Sequence, residues 1–391
     1  MSSGAWARWS DAIARRPWPA AIASFLVLLV IAIPFFSLNL GSADAGSDKP
    51  GTTTRKAYDL LTDGFGAGFN GPLLLAVEVP RTGDGDAAGL ARLRATVARQ
   101  PGVASVTAPQ LNRPGDAAVL QAYPTTSPQS QSTKDLVGRL RDSAIPPVER
   151  STGLAVSIGG STATFIDFNQ VVSSKLPLFI GIVVLLSVLL LMAVFRSILV
   201  PIKAAVMNVL SIGAAFGVVV AVFQWGWGAS LIGVDSTGPI ESFLPVMVFA
   251  IVFGLSMDYE VFLMSRIHEE WERSGDAQRA VTLGLARTAR VITAAATIMV
   301  LVFGSFILLP DRVIKLFGLG LASAVFIDAF LIRSMLVPAV MHLLGRRAWW
   351  FPRWLDRTIP DLSIDGPVTR EPDAEPGPER AREPAPEPSR S

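Results

Sequence analysis

Asp258 and Tyr259 stand within Phe243–Met264, an otherwise apolar run long enough to cross a bilayer. A carboxylate at that depth is costly unless paired, wetted or protonated, so an acid inside a span points to an ion pathway. The adjacent phenol can both donate and accept a hydrogen bond. An apolar setting favours the neutral form of a carboxyl group, and the two side chains together have the chemistry of a proton carrier. The alternative open to Asp258 is a purely structural hydrogen bond between spans. Glu260 follows two residues later, about 200° around the helix. It is open to two readings, a step on a proton exit or a side chain reaching for water. Thr293 and Thr297, four apart, share a helix face. They either donate to Asp258 or satisfy carbonyls of their own helix. Asp328 lies near the midpoint of the last apolar run, and Arg333 comes five residues on. Five residues are about 140° out of phase in an α-helix, so a clean pair within one helix is not expected; either residue can reach across to the helix of Asp258 or of its partner, as a structural ion pair between helices or in a transport role. Gly318 with Ala322, and Gly320 with Ala324, give the small-residue spacing of close helix packing.

The residues missing from the chain narrow the chemistry. It has no cysteine and only two histidines, His268 and His342, without metal-ligand spacing. No phosphate-cradling glycine motif and no nucleophile–base arrangement is present. An enzyme is therefore not expected, and no cofactor or metal is implied. Half of the 391 residues are hydrophobic, and the mean hydropathy is +0.45. Such a composition belongs to a polytopic membrane protein. A net charge of only +2 gives no reason to expect nucleic acid as a partner.

Six apolar stretches have the length of membrane-spanning helices: Ala20–Leu38, Leu176–Phe195, Leu199–Gln224, Phe243–Met264, Val291–Leu309 and Leu316–Leu344. Arg8, Arg15, Arg16, Arg196, Lys203, Arg266, Arg287, Arg290, Arg346 and Arg347 all fall on one side of them. The positive-inside rule makes that side cytoplasmic, with both termini inside a plasma membrane. Trp6, Trp9, Trp18, Trp349 and Trp350 mark the inner interface, and Trp225 and Trp227 the outer one. Arg312 and Lys315 read as anchors at the outer interface. "SADAG" at Ser42–Gly46 also has the look of a signal-peptide cleavage site, but the preceding apolar run is too long for one, and an uncleaved anchor is expected.

The organisation that follows is a cytoplasmic interfacial leader (1–19), a first span (20–40) and an extracytoplasmic domain (41–173). A five-helix membrane domain (174–345) comes next, with a cytoplasmic loop over 265–290. An interfacial Trp/Arg segment (346–363) and a disordered cytoplasmic tail (364–391), rich in Pro, Glu and Arg, complete it. Within the external domain, strands are expected near Gly71–Val79, Val103–Ala108, Ala117–Tyr123 and Leu154–Gly160. Helices near Ala87–Arg99 and Thr133–Ser143 separate them. That β-α-β-β-α-β order is the ferredoxin-like arrangement. In the loop over 265–290, Asp276 can cap a helix whose Ala277, Ala280, Val281, Gly284 and Leu285 share one face.

One external domain inserted after the first of six spans resembles the half-unit of resistance-nodulation-division (RND) transporters. Four segments narrow the likeness: Phe253–Trp271 "FGLSMDYEVFLMSRIHEEW", Thr288–Phe306 "TARVITAAATIMVLVFGSF", Arg312–Trp350 and Ser42–Leu74. They resemble the MMPL branch of that superfamily, membrane proteins that export lipids and other hydrophobic molecules. The resemblance covers nearly everything except the tail. It implies a porter-like external domain, a lipid-like substrate and export driven by the proton-motive force. By motif match it makes Asp258 and Tyr259 this chain's share of a proton relay; Glu260, Thr293, Thr297, Asp328 and Arg333, singled out above by their own positions, are candidates for its support. Full-length relatives carry two such halves, and the Met-Asp-Tyr-Glu wording and Trp-rich ending resemble the second. A complete transport path would then need another copy of this chain or a separate first-half polypeptide. Two further readings stay open: a non-transporting regulatory or assembly subunit, similar in topology to sterol-sensing domains, and a truncated remnant of a longer transporter.

Overall fold

The computed structural model describes residues 5–80 and 85–352. The expected tail over 364–391, and most of the Trp/Arg segment before it, lie outside the described residues. An amphipathic helix α1 (Ala5–Arg15) precedes α2 (Pro17–Ala32). Pro17 fits the first position of α2 because a helix makes no use of the amide hydrogen there. A 3₁₀ turn extends α2 to Ser37.

The chain then enters the domain through β1 (Leu40–Gly41) and α3 (Thr53–Phe65), whose first turn is capped by Thr52. The domain proper runs β2 (Leu73–Glu78), α4 (Gly85–Ala98), β3 (Val103–Val106), β4 (Gln110–Leu111), β5 (Ala117–Pro124), α5 (Gln131–Arg139), α6 (Pro146–Thr152) and β6 (Ala155–Gly159). Hydrogen bonding orders the main strands β3-β5-β2-β6, with β4 beside β5 and every pairing antiparallel. Strand β2 sits centrally, Leu75 opposite Leu120 on one side and Ile158 on the other. Its alternation decides which face is covered: Leu73, Leu75 and Val77 are buried, while Ala76 and Glu78 face outward. Leu90, Leu93 and Val97 of α4, with Leu136 of α5, Leu140 of the turn after it and Val148 of α6, complete this core.

Among the described residues six helices are long and apolar enough to cross a membrane, and together they make a polytopic membrane protein. Helix α7 (Ser161–Phe195) leaves the domain directly from β6. The sequence suggests a span from Leu176, but the helix starts at Ser161, and Pro177 sits within it. Thus α7 is a continuous rod joining domain to membrane. Helix α8 (Leu199–Phe223) leads to β7 (Ile240–Glu241), which pairs in parallel with β1. This small ladder ties the first and third connections together.

Helices α9 (Leu244–Ser274) and α10 (Ala277–Ser305) correct the expected loop over 265–290. Both run through it, and the turn is reduced to Gly275, at φ +64, and Asp276. Asp276 accepts from the Gln278 and Arg279 amides, as a cap should. Ala277, Ala280, Val281, Gly284 and Leu285 are all buried against the bundle. The segment holds no proline, and of its two glycines only Gly275 takes a positive φ, so a polar composition was compatible with helix on either side of that turn. The last span comprises α11 (Arg312–Phe326), a π-helical segment (Ile327–Leu336) and α12 (Val337–Leu344).

Helices α2 and α8 touch at their backbones. A Cβ placed on Gly217 would lie 1.9 Å from the carbonyl oxygen of Ile31. Small residues permit such approaches between spans. Gly217→Val is expected to destabilise the protein by about 1–3 kcal/mol, read as a lowered melting temperature of the purified chain. An unchanged melting temperature would mean that α2 is free to move away from α8.

Candidate functional site

Four charged side chains meet inside the bundle. Lys203 comes from the first turns of α8, Glu260 from the middle of α9, and Asp328 and Arg333 from the π-helical segment. Their exposures are 8%, 3%, 5% and 2%. Lys203 Nζ donates to Glu260 Oε1 at 2.8 Å, and Arg333 Nη1 reaches Glu260 Oε2 at 3.4 Å. Arg333 Nε donates to Asp328 Oδ2 at 2.7 Å. Two cations and two carboxylates therefore alternate along one path that links three spans, and their charges cancel.

Neutral groups complete the network. Arg333 Nη2 donates to the backbone carbonyl of Ser256 and, at 2.8 Å, to its hydroxyl. The Ser256 hydroxyl lies 2.7 Å from Asn208 Oδ1 and 3.0 Å from Asp328 Oδ1, two acceptors for its single hydrogen. The guanidinium also sits over the Tyr259 ring, 5.5 Å from its centroid, a cation–π contact. Desolvating four charges is tolerable only when each is answered by an opposite charge and hydrogen bonds, and here every member is.

The Asp328–Arg333 pair corrects the expectation that five residues stand out of phase. In a π-helix the bonds run from i to i+5, which stacks residues five apart on one face. Ser334 Oγ to Ala329 O, at 2.7 Å, follows the same interval. Pro338, four residues beyond Ser334, has no amide hydrogen to give the Ser334 carbonyl. Trp9 of α1 supplies the missing donor, its Nε1 lying 2.8 Å from that oxygen. The N-terminal helix is thereby pinned to the segment that carries the ion pair.

Asp258 is elsewhere. It lies on the exposed surface of the chain and makes no hydrogen bond or ion pair with any described residue. Met247, Ile251, Gly254, Asp258 and Phe262 form an exposed stripe along α9, at the spacing of one helix face. Since Asp258 and Glu260 stand about 200° apart, one faces outward when the other faces in. Glu260 took the inward place, so it does not reach for water. Tyr259, half-buried between them, directs its hydroxyl to Met299 Sδ at 3.7 Å. Thr293 and Thr297 do not approach Asp258. Each donates to a carbonyl of its own helix, Ala289 at 2.6 Å and Thr293 at 2.7 Å.

Lys203, Ser256 and Asn208 are the members that sequence reasoning missed. Lys203 was countable only as one more basic residue near a span end, yet a lysine inside an apolar run is itself a signal. Arg312 and Lys315 are buried rather than splayed at the interface. Outside the spans, burial raises the carboxyl pKa of Glu241 and of Asp44. Burial and the charge of Asp44 push Tyr58 up to about 12.

Comparison with known proteins gives one family. Residues 82–361 match the model of the MMPL family. The membrane protein YdfJ of Bacillus subtilis is 37% identical over 92% of this chain and 49% of its own length. The mycolic acid-containing lipids exporter MmpL11 of Mycolicibacterium smegmatis is 35% identical over 93% of this chain and 38% of its own. The heme uptake protein MmpL11 of Mycobacterium tuberculosis is 34% identical over the same shares of each. The chain thus spans about half, or less, of the length of the curated relatives it matches.

Proposed function

We propose, because this chain belongs to the MMPL family, that it is a subunit of a proton-motive-force-driven transporter of the RND type. Its cargo would be lipids or other hydrophobic molecules moved outward, and a second half-unit would complete it. One observation carries this reading: a mid-span carboxylate without a partner among the described residues, set in an exposed apolar stripe. A bare carboxylate facing lipid hydrocarbon is strongly disfavoured, so Asp258 calls for a protein surface over it. A second copy of this chain, or a separate first-half chain, supplies one. Protonation of Asp258 would then remove charge from the contact between halves. The adjacent Tyr259, in contact with Arg333, would pass the change in packing to the buried network and the spans it joins.

The alternating strand order β6-β2-β5-β3 supports a ferredoxin-like porter domain. The basic residues at the ends opposite that domain support an extracytoplasmic position for it and cytoplasmic termini. A cleft of about 120 Å³ at the base of α7, lined by Asp44, Lys134, Phe165 and Asn169 among others, offers mixed apolar and polar contact where domain meets membrane. That suits an amphiphile. The names of the relatives mention mycolic acid-containing lipids and heme, both large and largely apolar, which supports the substrate class and leaves its member open.

The absence of cysteine makes a direct test available. Gly254 shares the stripe with Asp258 and has open space around it. Gly254→Cys, oxidised in native membranes, is expected to give a disulfide-linked dimer of the chain or a cross-link to a distinct half-unit. Purified protein in liposomes should then show proton entry that rises with an added lipid-like substrate. A chain that cross-links to itself yet carries no proton flux would overturn the transporter reading and favour a regulatory or assembly subunit.

A further inference from the structure

We infer that the domain-facing ends of the spans hold a binding site for a phosphate-type oxyanion, of the kind borne by an anionic phospholipid headgroup. A small cleft there is lined by Ser47, Lys49, Gly233, Asp235, Arg312 and Lys315. Arg312, at the start of α11, is only 9% exposed. Its Nη2 donates to the Pro239 carbonyl at 3.1 Å, but Nε and Nη1 are buried and have no partner among the described residues. The Phe223 ring, 5.5 Å from Cζ, covers one face of the guanidinium without accepting those hydrogens in its plane. No described carboxylate is within ion-pairing distance. A buried guanidinium with two unmet donors is among the costlier arrangements a fold can keep, and it calls for an acceptor from outside the chain.

Lys315 strengthens the case. Its ammonium donates to the carbonyls of Ile232, at 2.5 Å, and Gly233, at 2.9 Å, which leaves the third of its hydrogens. Lys49 stands exposed at the rim. Asp235 is the one carboxylate among the described lining residues, since Asp311 turns away to cap α11 at the Ile314 amide. Glu241, which Arg312 also feels, accepts from the Ala43 amide at Oε1. The internal space is about 20 Å³, room for a water or for one oxygen of a larger anion. A water would satisfy the N–H groups but not the excess of positive charge. An anionic oxygen answers both, with the rest of its group outside. Pro310 places the cleft in the short turn between the fifth and sixth spans, at the level of lipid headgroups.

The test is native mass spectrometry of the detergent-purified full chain with added phosphatidylglycerol, phosphatidylcholine for comparison and inorganic phosphate as competitor. Wild type is expected to retain phosphatidylglycerol in preference to phosphatidylcholine. Arg312→Gln should lower that retention about tenfold, and Lys49→Gln should lower it measurably. The exposed Lys49 has no side-chain bond to lose, so its variant decides the matter even where the Arg312 variant fails to fold. Displacement of the lipid by inorganic phosphate would show that free and lipid-borne phosphate share the cleft; resistance to displacement would assign it to the lipid. Equal retention by wild type and the Lys49 variant, or equal retention of the two lipids, overturns the site.

Discussion

Arg333→Met will destabilise the protein by about 3–5 kcal/mol, the range for removing one partner of a buried charge pair. The substitution keeps apolar bulk but leaves Glu260 and Asp328 facing Lys203 alone, one uncompensated negative charge in the bundle. It also strips donors from Ser256 and breaks the tie between π segment and α9. Asp328→Leu should be nearly as harmful in the other direction, since Glu260 must then serve two cations. The double replacement, Asp328→Leu with Arg333→Met, leaves the Lys203–Glu260 pair intact and balanced. It should therefore melt above the Arg333 variant, because charge pairs removed together are often replaced at little cost. The double-mutant cycle, measured by thermal unfolding in detergent, is expected to show strongly favourable coupling. A wild-type melting temperature for Arg333→Met would mean that the four charges do not hold the bundle as their distances suggest.

Much of this arrangement could be read from residue order, and the buried charges that could not be placed share a cause. Six long apolar stretches announce themselves by composition, because a helix in lipid must be apolar over a fixed length. The β2 alternation Leu73, Leu75, Val77 was equally plain. Angular placement was not. Asp258 and Glu260 lie in one apolar run, and nothing local says which faces inward; the answer depends on Lys203, 57 positions before Glu260. The Asp328–Arg333 pair was hidden by a wrong period. An α-helix separates these residues and a π-helix aligns them, and the choice rests partly on Pro338 and on Trp9, 325 residues away from Ser334. The segment over 265–290 was legible in part: the Asp276 cap and the buried face from Ala277 to Leu285 are as expected, and the continuity of each helix with its span was not. Its charges looked like a loop, whereas Glu270 and Arg287 use theirs to pair between α9 and α10.

Asp258→Asn separates folding from transport. The side chain bonds to nothing described in its own chain, so asparagine should alter stability by no more than about 0.5 kcal/mol, as at most exposed sites. Proton-coupled substrate movement, by contrast, should fall about a hundredfold or more, to background, because an amide has nearly the shape of a carboxyl group but cannot exchange its charge. Glu260→Gln supplies the contrast from the same helix. It would lower stability and transport together, since it unbalances Lys203 and Arg333 whether or not it carries protons. The informative result is thus a variant that melts as wild type does, still cross-links through residue 254, and transports nothing. A relay role for Asp258 predicts that combination, whereas a packing role predicts that the cross-link weakens along with activity. Full transport by Asp258→Asn would leave α9 as a docking stripe and move the search for the proton carrier to the buried carboxylates of Glu260 and Asp328.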